Sequence, residues 1–166
     1  MNMPGGIASW DSQSQAEALT LTERAMLDAI MDRLQPGDVQ QGIPSASQAG
    51  AARYVSLLLG RDPPVYYEVP TWRTLYPQAI AALDQVAEAR FGTSLDKLKG
   101  QDLDQLLRDL QAGALTGPSF PAAQPLIFKT FLKHCYQGCF GDPRWGGNQQ
   151  AKMWEAIGYP LRPAER

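Results

Sequence analysis

Apolar positions along the chain recur mostly with the spacing of a helix. Thr20-Leu21-Thr22-Glu23 places a threonine three residues ahead of a glutamate, the capping-box arrangement that opens a helix. Leu27, Ile30, Met31 and Leu34 then fall at i, i+3, i+4 and i+7, a single apolar stripe, and Pro36-Gly37-Asp38 stops it. Ser45 with Gln48 makes a second cap, and the pattern predicts a helix to Leu59 with Ala52, Val55 and Leu59 inward and Gly60 just past its end. Gly50 lies inside that helix, where it costs ~1 kcal/mol against alanine unless another backbone packs close. Prolines 63, 64 and 70 predict an extended aromatic connection through Tyr66 and Tyr67.

A third helix is predicted over residues 77–91, with Ile80, Leu83, Ala87 and Arg90 spaced along it and a short turn over residues 72–76 ahead of it. Leu95 and Leu98 suggest a brief helical turn, and Leu103, Leu106, Leu107 and Leu110 form the clearest stripe, closed by Gly113. Residues 122–139 predict a further helix with Phe128, Phe131, Leu132 and Cys135 on one side. The loop of residues 141–148 leads to a last short helix holding Trp154 and Ile157, ended by Gly158-Tyr159-Pro160. No window alternates with period two for long enough to support a sheet, so the fold class is all-α, a single domain of about five to seven helices with Pro/Gly-rich connections. It spans residues 19–161, between a flexible lead-in of residues 1–18 and a tail of residues 162–166.

The totals narrow the function. Of 166 residues, 44% are apolar and 19% charged, too apolar for a disordered chain. The net charge of −2, with no Lys/Arg-rich run, argues against nucleic acid or an anionic membrane as partner. No apolar run approaches the ~20 residues of a membrane span. Residues 1–10 have neither the basic nor the apolar region of a signal peptide, which leaves an intracellular protein and an exported one both open.

Candidate chemistry is sparse. A Ser-His-Asp triad, a histidine metal site or an imidazole general base would each have to use His134, the sole histidine, which beside Lys133 reads as a partly exposed helix residue. There is neither a Gly-x-Ser-x-Gly elbow nor a Gly-x-Gly-x-x-Gly after a strand. Cys135 and Cys139 offer two thiols and His134 points off their face, short of a four-ligand zinc site. They read as free thiols, as an internal bond if Gly138 lets the helix end unwind, or as a bridge to another chain, the last two needing an oxidising compartment. Gly146-Gly147-Asn148 could cradle a phosphate but lacks the Lys-Ser/Thr that a nucleotide loop supplies next. It reads instead as a shaped turn with Asn148 capping the segment from Gln149 to Ile157, or as a loop docked on a protein partner with Trp145 as anchor. Trp10, Tyr66, Tyr67 and Trp72 either widen such a surface or belong to the core.

The run Cys135-Tyr136-Gln137-Gly138-Cys139-Phe140-Gly141-Asp142-Pro143-Arg144-Trp145-Gly146-Gly147-Asn148, followed by Trp154 and Ile157-Gly158-Tyr159-Pro160, resembles the C-terminal signature of the gluconate 2-dehydrogenase subunit 3 family. That pattern has a glycine, Asp-Pro, aromatic-Gly-Gly-Asn, a later tryptophan and a closing Gly-aromatic-Pro. The resemblance extends over about residues 19–161, through Leu19 to Glu23, Pro36-Gly37-Asp38, Ala49-Gly50 and Phe91-Gly92. Trp145 replaces the more usual tyrosine, Met153 stands where glycine commonly precedes the tryptophan, and Leu161 follows Pro160 where glycine is common. Members usually begin with a twin-arginine export signal, which this sequence does not contain.

The resemblance implies a non-catalytic accessory subunit of a periplasmic or membrane-associated sugar, polyol or sugar-acid dehydrogenase. Its partner would be a glucose-methanol-choline type flavoprotein binding FAD, in some complexes joined by a cytochrome c subunit. The small subunit would support folding, flavin loading and export of that partner, with no catalytic, cofactor or metal residues of its own. On this reading Asp142, Pro143, Trp145, Gly146, Gly147, Asn148 and Trp154 are the signature and interface candidates, and Cys135 or Cys139 is the candidate for a covalent tie. The alternative, from the residues alone, is a free-standing helical binding protein or enzyme with a small-molecule site between helices.

Overall fold

The capping boxes and the leucine stripes set the frame. In the computed structural model, which describes residues 16–161, the order is α1 (Leu21–Leu34), α2 (Ala46–Ala49), α3 (Ala51–Gly60), α4 (Val69–Phe91), a 3₁₀ turn (Leu95–Lys97), α5 (Gly100–Ala112), α6 (Gln124–Phe140), two 3₁₀ turns (Pro143–Trp145 and Gln149–Ala151) and α7 (Lys152–Ala156). Among the described residues there is no strand beyond one isolated bridge, Asp38 with Ile43, so the all-α expectation holds. Trp10, most of the lead-in expected over residues 1–18, and the tail 162–166 lie outside the described residues.

Local chemistry explains most boundaries. Thr20 and Ser45 each form a full capping box, with Glu23 and Gln48 respectively, satisfying N–H groups that a helix start leaves unpaired. Asp32 on α1 accepts from both the N–H and the hydroxyl of Ser47, which fixes the short α2 across the end of α1. The expected single helix over residues 46–59 is instead broken at Gly50, whose φ of 78° caps α2 and starts α3. A β-carbon at Gly50 would sit 2.7 Å from the Gln149 amide, so the break makes room for the C-terminal loop.

The third helix is also longer than its sequence pattern predicts. α4 runs without interruption through Pro77 and starts with Pro70 in its first turn, where a missing N–H costs nothing. Pro77 removes an internal hydrogen bond, but Leu75, Tyr76, Ala79 and Ile80 around it are all buried, and that packing holds the helix together. Arg73 donates to the carbonyls of Leu59 and Arg61, closing the end of α3 against α4. Arg90, the last of the spaced positions, is exposed and pairs with Asp109 on α5 at 2.6 Å.

α6 is the central helix. It packs against α3 on one side and α5 on the other, with α1 crossing all three. Ile127, Phe131, His134, Cys135, Gly138 and Cys139 are its buried positions, so its inward face is turned by about one residue from the predicted Phe128, Phe131, Leu132 and Cys135. The segment just before α1 is docked as well. Ala18 and Leu19 donate backbone hydrogen bonds to the carbonyl and hydroxyl of Ser56, and Gly60 lies against the Ala16 carbonyl. Phe131 is fully buried beneath Tyr76, with ring centroids 5.1 Å apart. Phe131→Ala should therefore cost about 3–5 kcal/mol in urea unfolding, and a loss near 1 kcal/mol would remove α6 from the centre of the core.

Candidate functional site

The signature residues gather where the end of α6 meets the start of α3. Gly138 touches the backbone of Ala51 so closely that a β-carbon there would lie 2.8 Å from the Ala51 Cα. Gly147 in turn lies against the Gly138 carbonyl, leaving no space for a side chain. The Asn148 N–H donates to the same carbonyl at 2.6 Å. Gly146, with φ 97°, faces Leu57, and its carbonyl accepts from Arg53 at 3.4 Å. Both glycines thus turn the face where a side chain would stand to protein, so neither position has room for one.

Asn148 is fully buried and does more than a helix cap. Its Nδ2 donates to the Gly141 carbonyl at 3.0 Å, and its Oδ1 accepts from the Met153 N–H at 3.0 Å. The expected capping of Gln149 and the residues after it is not formed in the usual way, because Asn148, Gln150 and Ala151 all have positive φ. This left-handed path carries the chain over Gly50 before α7 begins, and Asn148 reaches past it to the first free N–H of the right-handed turn.

Asp142 caps the turn Pro143–Trp145 by accepting from the Arg144 N–H, and the Arg144 guanidinium grips its carboxylate, which holds its pKa below the ordinary value. Trp145 is half-buried, packs on the core, and lies with its ring edge against Gly141, so it faces inward. Trp154 donates from Nε1 to the Phe140 carbonyl at 2.7 Å and stacks on Tyr159 at 4.7 Å. Around that contact Tyr136, Phe140, Ile157 and Tyr159 are exposed, an apolar rim on an otherwise closed joint.

Of the readings open for the cysteines, the structure has the first: Cys135 and Cys139 are free thiols, and both side chains are buried. The Cys135 thiol makes a weak contact to the Met31 carbonyl, and hydrogen bonding with Cys139, then burial, push its pKa up and keep it protonated.

His134, expected partly exposed, is fully buried. Its Nδ1 shares a 2.8 Å hydrogen bond with the Tyr76 hydroxyl, its Nε2 has no hydrogen-bond partner among the described residues, and its ring stands edge-on to Trp72 at 4.4 Å. Burial, helped by the nearby Lys133 charge, lowers its pKa to about 4, so it is a neutral ring in the core. Its place three residues after Phe131 and seven after Ile127 was the signal for burial. A second polar pair, Tyr54 hydroxyl to Gln137 Oε1 at 2.9 Å, lies one turn further along α6 and was not foreseen.

Among the described residues no group of three His, Cys, Asp or Glu side chains is placed to hold a metal ion. No helix among them is long and apolar enough to cross a membrane. A groove of about 450 Å³ between the turn at residues 39–44 and α7 has Gln48, Lys152 and Glu155 as its polar walls.

Two measurements follow. The unfolded imidazole, near 6.5, takes up a proton that the folded one refuses until about pH 4. Stability from this residue is therefore complete above about pH 6.5 and is lost as the pH falls toward 4, by up to about 3 kcal/mol. Urea titrations across that window should show His134→Gln with a flatter acid limb than the parent; equal slopes would assign the loss to other groups. Asn148→Ala orphans the Met153 N–H and the Gly141 carbonyl and strains a left-handed residue, so melting should report a loss of about 3 kcal/mol, against under 1 if the loop stands without it.

No curated protein and no solved structure matches the chain. The family model described as gluconate 2-dehydrogenase subunit 3 matches residues 22–160, nearly the whole described structure and all of the joint around Gly138. The chain belongs to the gluconate 2-dehydrogenase subunit 3 family.

Proposed function

We propose that this chain is the non-catalytic small subunit of an FAD-dependent dehydrogenase of the glucose-methanol-choline type, acting on a sugar, polyol or sugar acid outside the cytoplasm. The observation that carries the reading is the use made of the signature residues. Gly138, Gly146, Gly147 and Asn148 are spent on backbone contacts within the fold, while Tyr136, Phe140, Ile157 and Tyr159 remain exposed at its rim. Such a rim suits contact with another protein surface. On this reading the flavin and the chemistry belong to the larger subunit.

The mechanism is linkage. A subunit that binds the folded catalytic chain and not the unfolded one stabilises the folded form by RT ln(1 + [L]/Kd), about 2.7 kcal/mol when present at a hundred times its Kd. That stabilisation favours a closed flavin site in the partner and a folded cargo for twin-arginine export, with a cytochrome c subunit as onward electron acceptor in complexes that have one. Expressing the catalytic subunit with and without this chain tests the proposal. Co-expression should raise the yield of soluble partner showing a flavin absorbance spectrum. Equal yield, flavin content and activity without this chain would sink it.

A further inference from the structure

The inward face of α6 is fixed by the core, and its outward face has a pattern of its own. Leu126, Lys129, Lys133, Tyr136 and Phe140 are spaced three, four, three and four residues apart, and all five are exposed. That is the seam spacing by which one helix lies along another, here extended over about 21 Å. Beside its first turns a groove of about 350 Å³ separates α6 from α4, with Trp72, Gln78 and Thr130 among its walls and no charged residue.

Charge marks the same face. Between Asp109 and Asp142 the sequence has no acidic residue, and between Glu68 and Asp84 it has none either, although the whole chain has a net charge of −2. α6 and the first half of α4 therefore carry cations without carboxylates. Among the described residues neither Lys129 nor Lys133 is in an ion pair; the Lys133 ammonium instead lies 5.4 Å from the Trp72 ring centre. Two lysines in an apolar seam are costly to cover unless the covering surface supplies the opposite charge. They are too few to hold a nucleic-acid backbone.

Resting on the subunit reading, we infer that the outward face of α6, with the groove beside α4, receives the larger dehydrogenase subunit. That subunit's docking segment sets carboxylates opposite Lys129 and Lys133 and apolar side chains against Leu126, Tyr136 and Phe140. The rim at Tyr159 continues the same contact past the end of the helix.

Amine acylation of the free chain and of its complex with the larger subunit, read by mass spectrometry, tests this. In the complex Lys129 and Lys133 should react about fivefold or more slowly, while the exposed Lys97 and Lys99, outside the face, stay within about twofold. The double variant Lys129→Glu/Lys133→Glu should melt like the parent, both positions being exposed, and bind the larger subunit about tenfold or more weakly. A complex in which both lysines keep their free reactivity, or in which the variant binds as the parent does, overturns the docking face and leaves the subunit reading intact. Slowing by phosphatidylglycerol vesicles but not by the larger subunit also overturns it, in favour of a membrane. No complex with a dehydrogenase subunit at all overturns the reading itself and this inference with it.

Discussion

Where α3, α6 and the C-terminal loop converge, Gly138 leaves no room for a side chain on either side. Ala51 approaches it from α3, and Gly147 and Asn148 close over its carbonyl. A single methyl group at this position would force the α3 and α6 backbones apart and withdraw the acceptor on which the loop hangs. The remaining contacts depend on that spacing: Gly146 on Leu57, Gln149 over Gly50, Met153 on Asn148 and the Trp154 indole on Phe140. The signature Asp-Pro-Arg-Trp-Gly-Gly-Asn is thus the description of one joint, made of residues small enough to approach or polar enough to satisfy the backbone.

What the sequence made legible was local. Both capping boxes, the stripe from Leu103 to Leu110 and its glycine stop at Gly113 are decided within a few residues, and they form as their spacing predicts. The resemblance at the C-terminus located the joint and named the family. The departures all arise from partners distant in sequence. Gly50 reads as a weak helix residue until Gln149 arrives to need the space. Pro77 reads as a helix start until the burial of its neighbours outweighs one lost hydrogen bond. Asn148 looks like an ordinary cap because the left-handed path of Gln150 and Ala151, which no local preference favours, is imposed by the surfaces it crosses. His134 looked surface-bound because it neighbours Lys133, yet its spacing to Phe131 placed it inside.

The buried polar groups of α6 connect fold to function. His134 with Tyr76 and Gln137 with Tyr54 are directional contacts to α4 and α3, on a helix whose other buried side chains would tolerate some sliding. Turning α6 by one residue, about 100°, would break both and drive Gly138 away from Ala51. Polar contacts of this kind add little net stability but select one rotation of a helix over its neighbours. The rotation they select sets the lysines and aromatics outward in a single row, so the identity of the exterior face is decided by hydrogen bonds in the interior.

Arg53 and Gly146 meet across a separation of 93 residues. A polypeptide made from its N-terminus forward therefore builds the α3 side of the joint long before the loop that covers it exists. Until then Leu57, Ala51 and the open side of Gly50 form an uncovered shelf, and once α6 has docked on α3 only the short loop after Gly138 remains to be closed over it. The joint acts as a clasp fastened last, and its fastening is also what sets Trp154 and Tyr159 beside Phe140. A molecule caught before that step carries the helices but not the finished surface, so any partner that reads the surface distinguishes completed chains from unfinished ones.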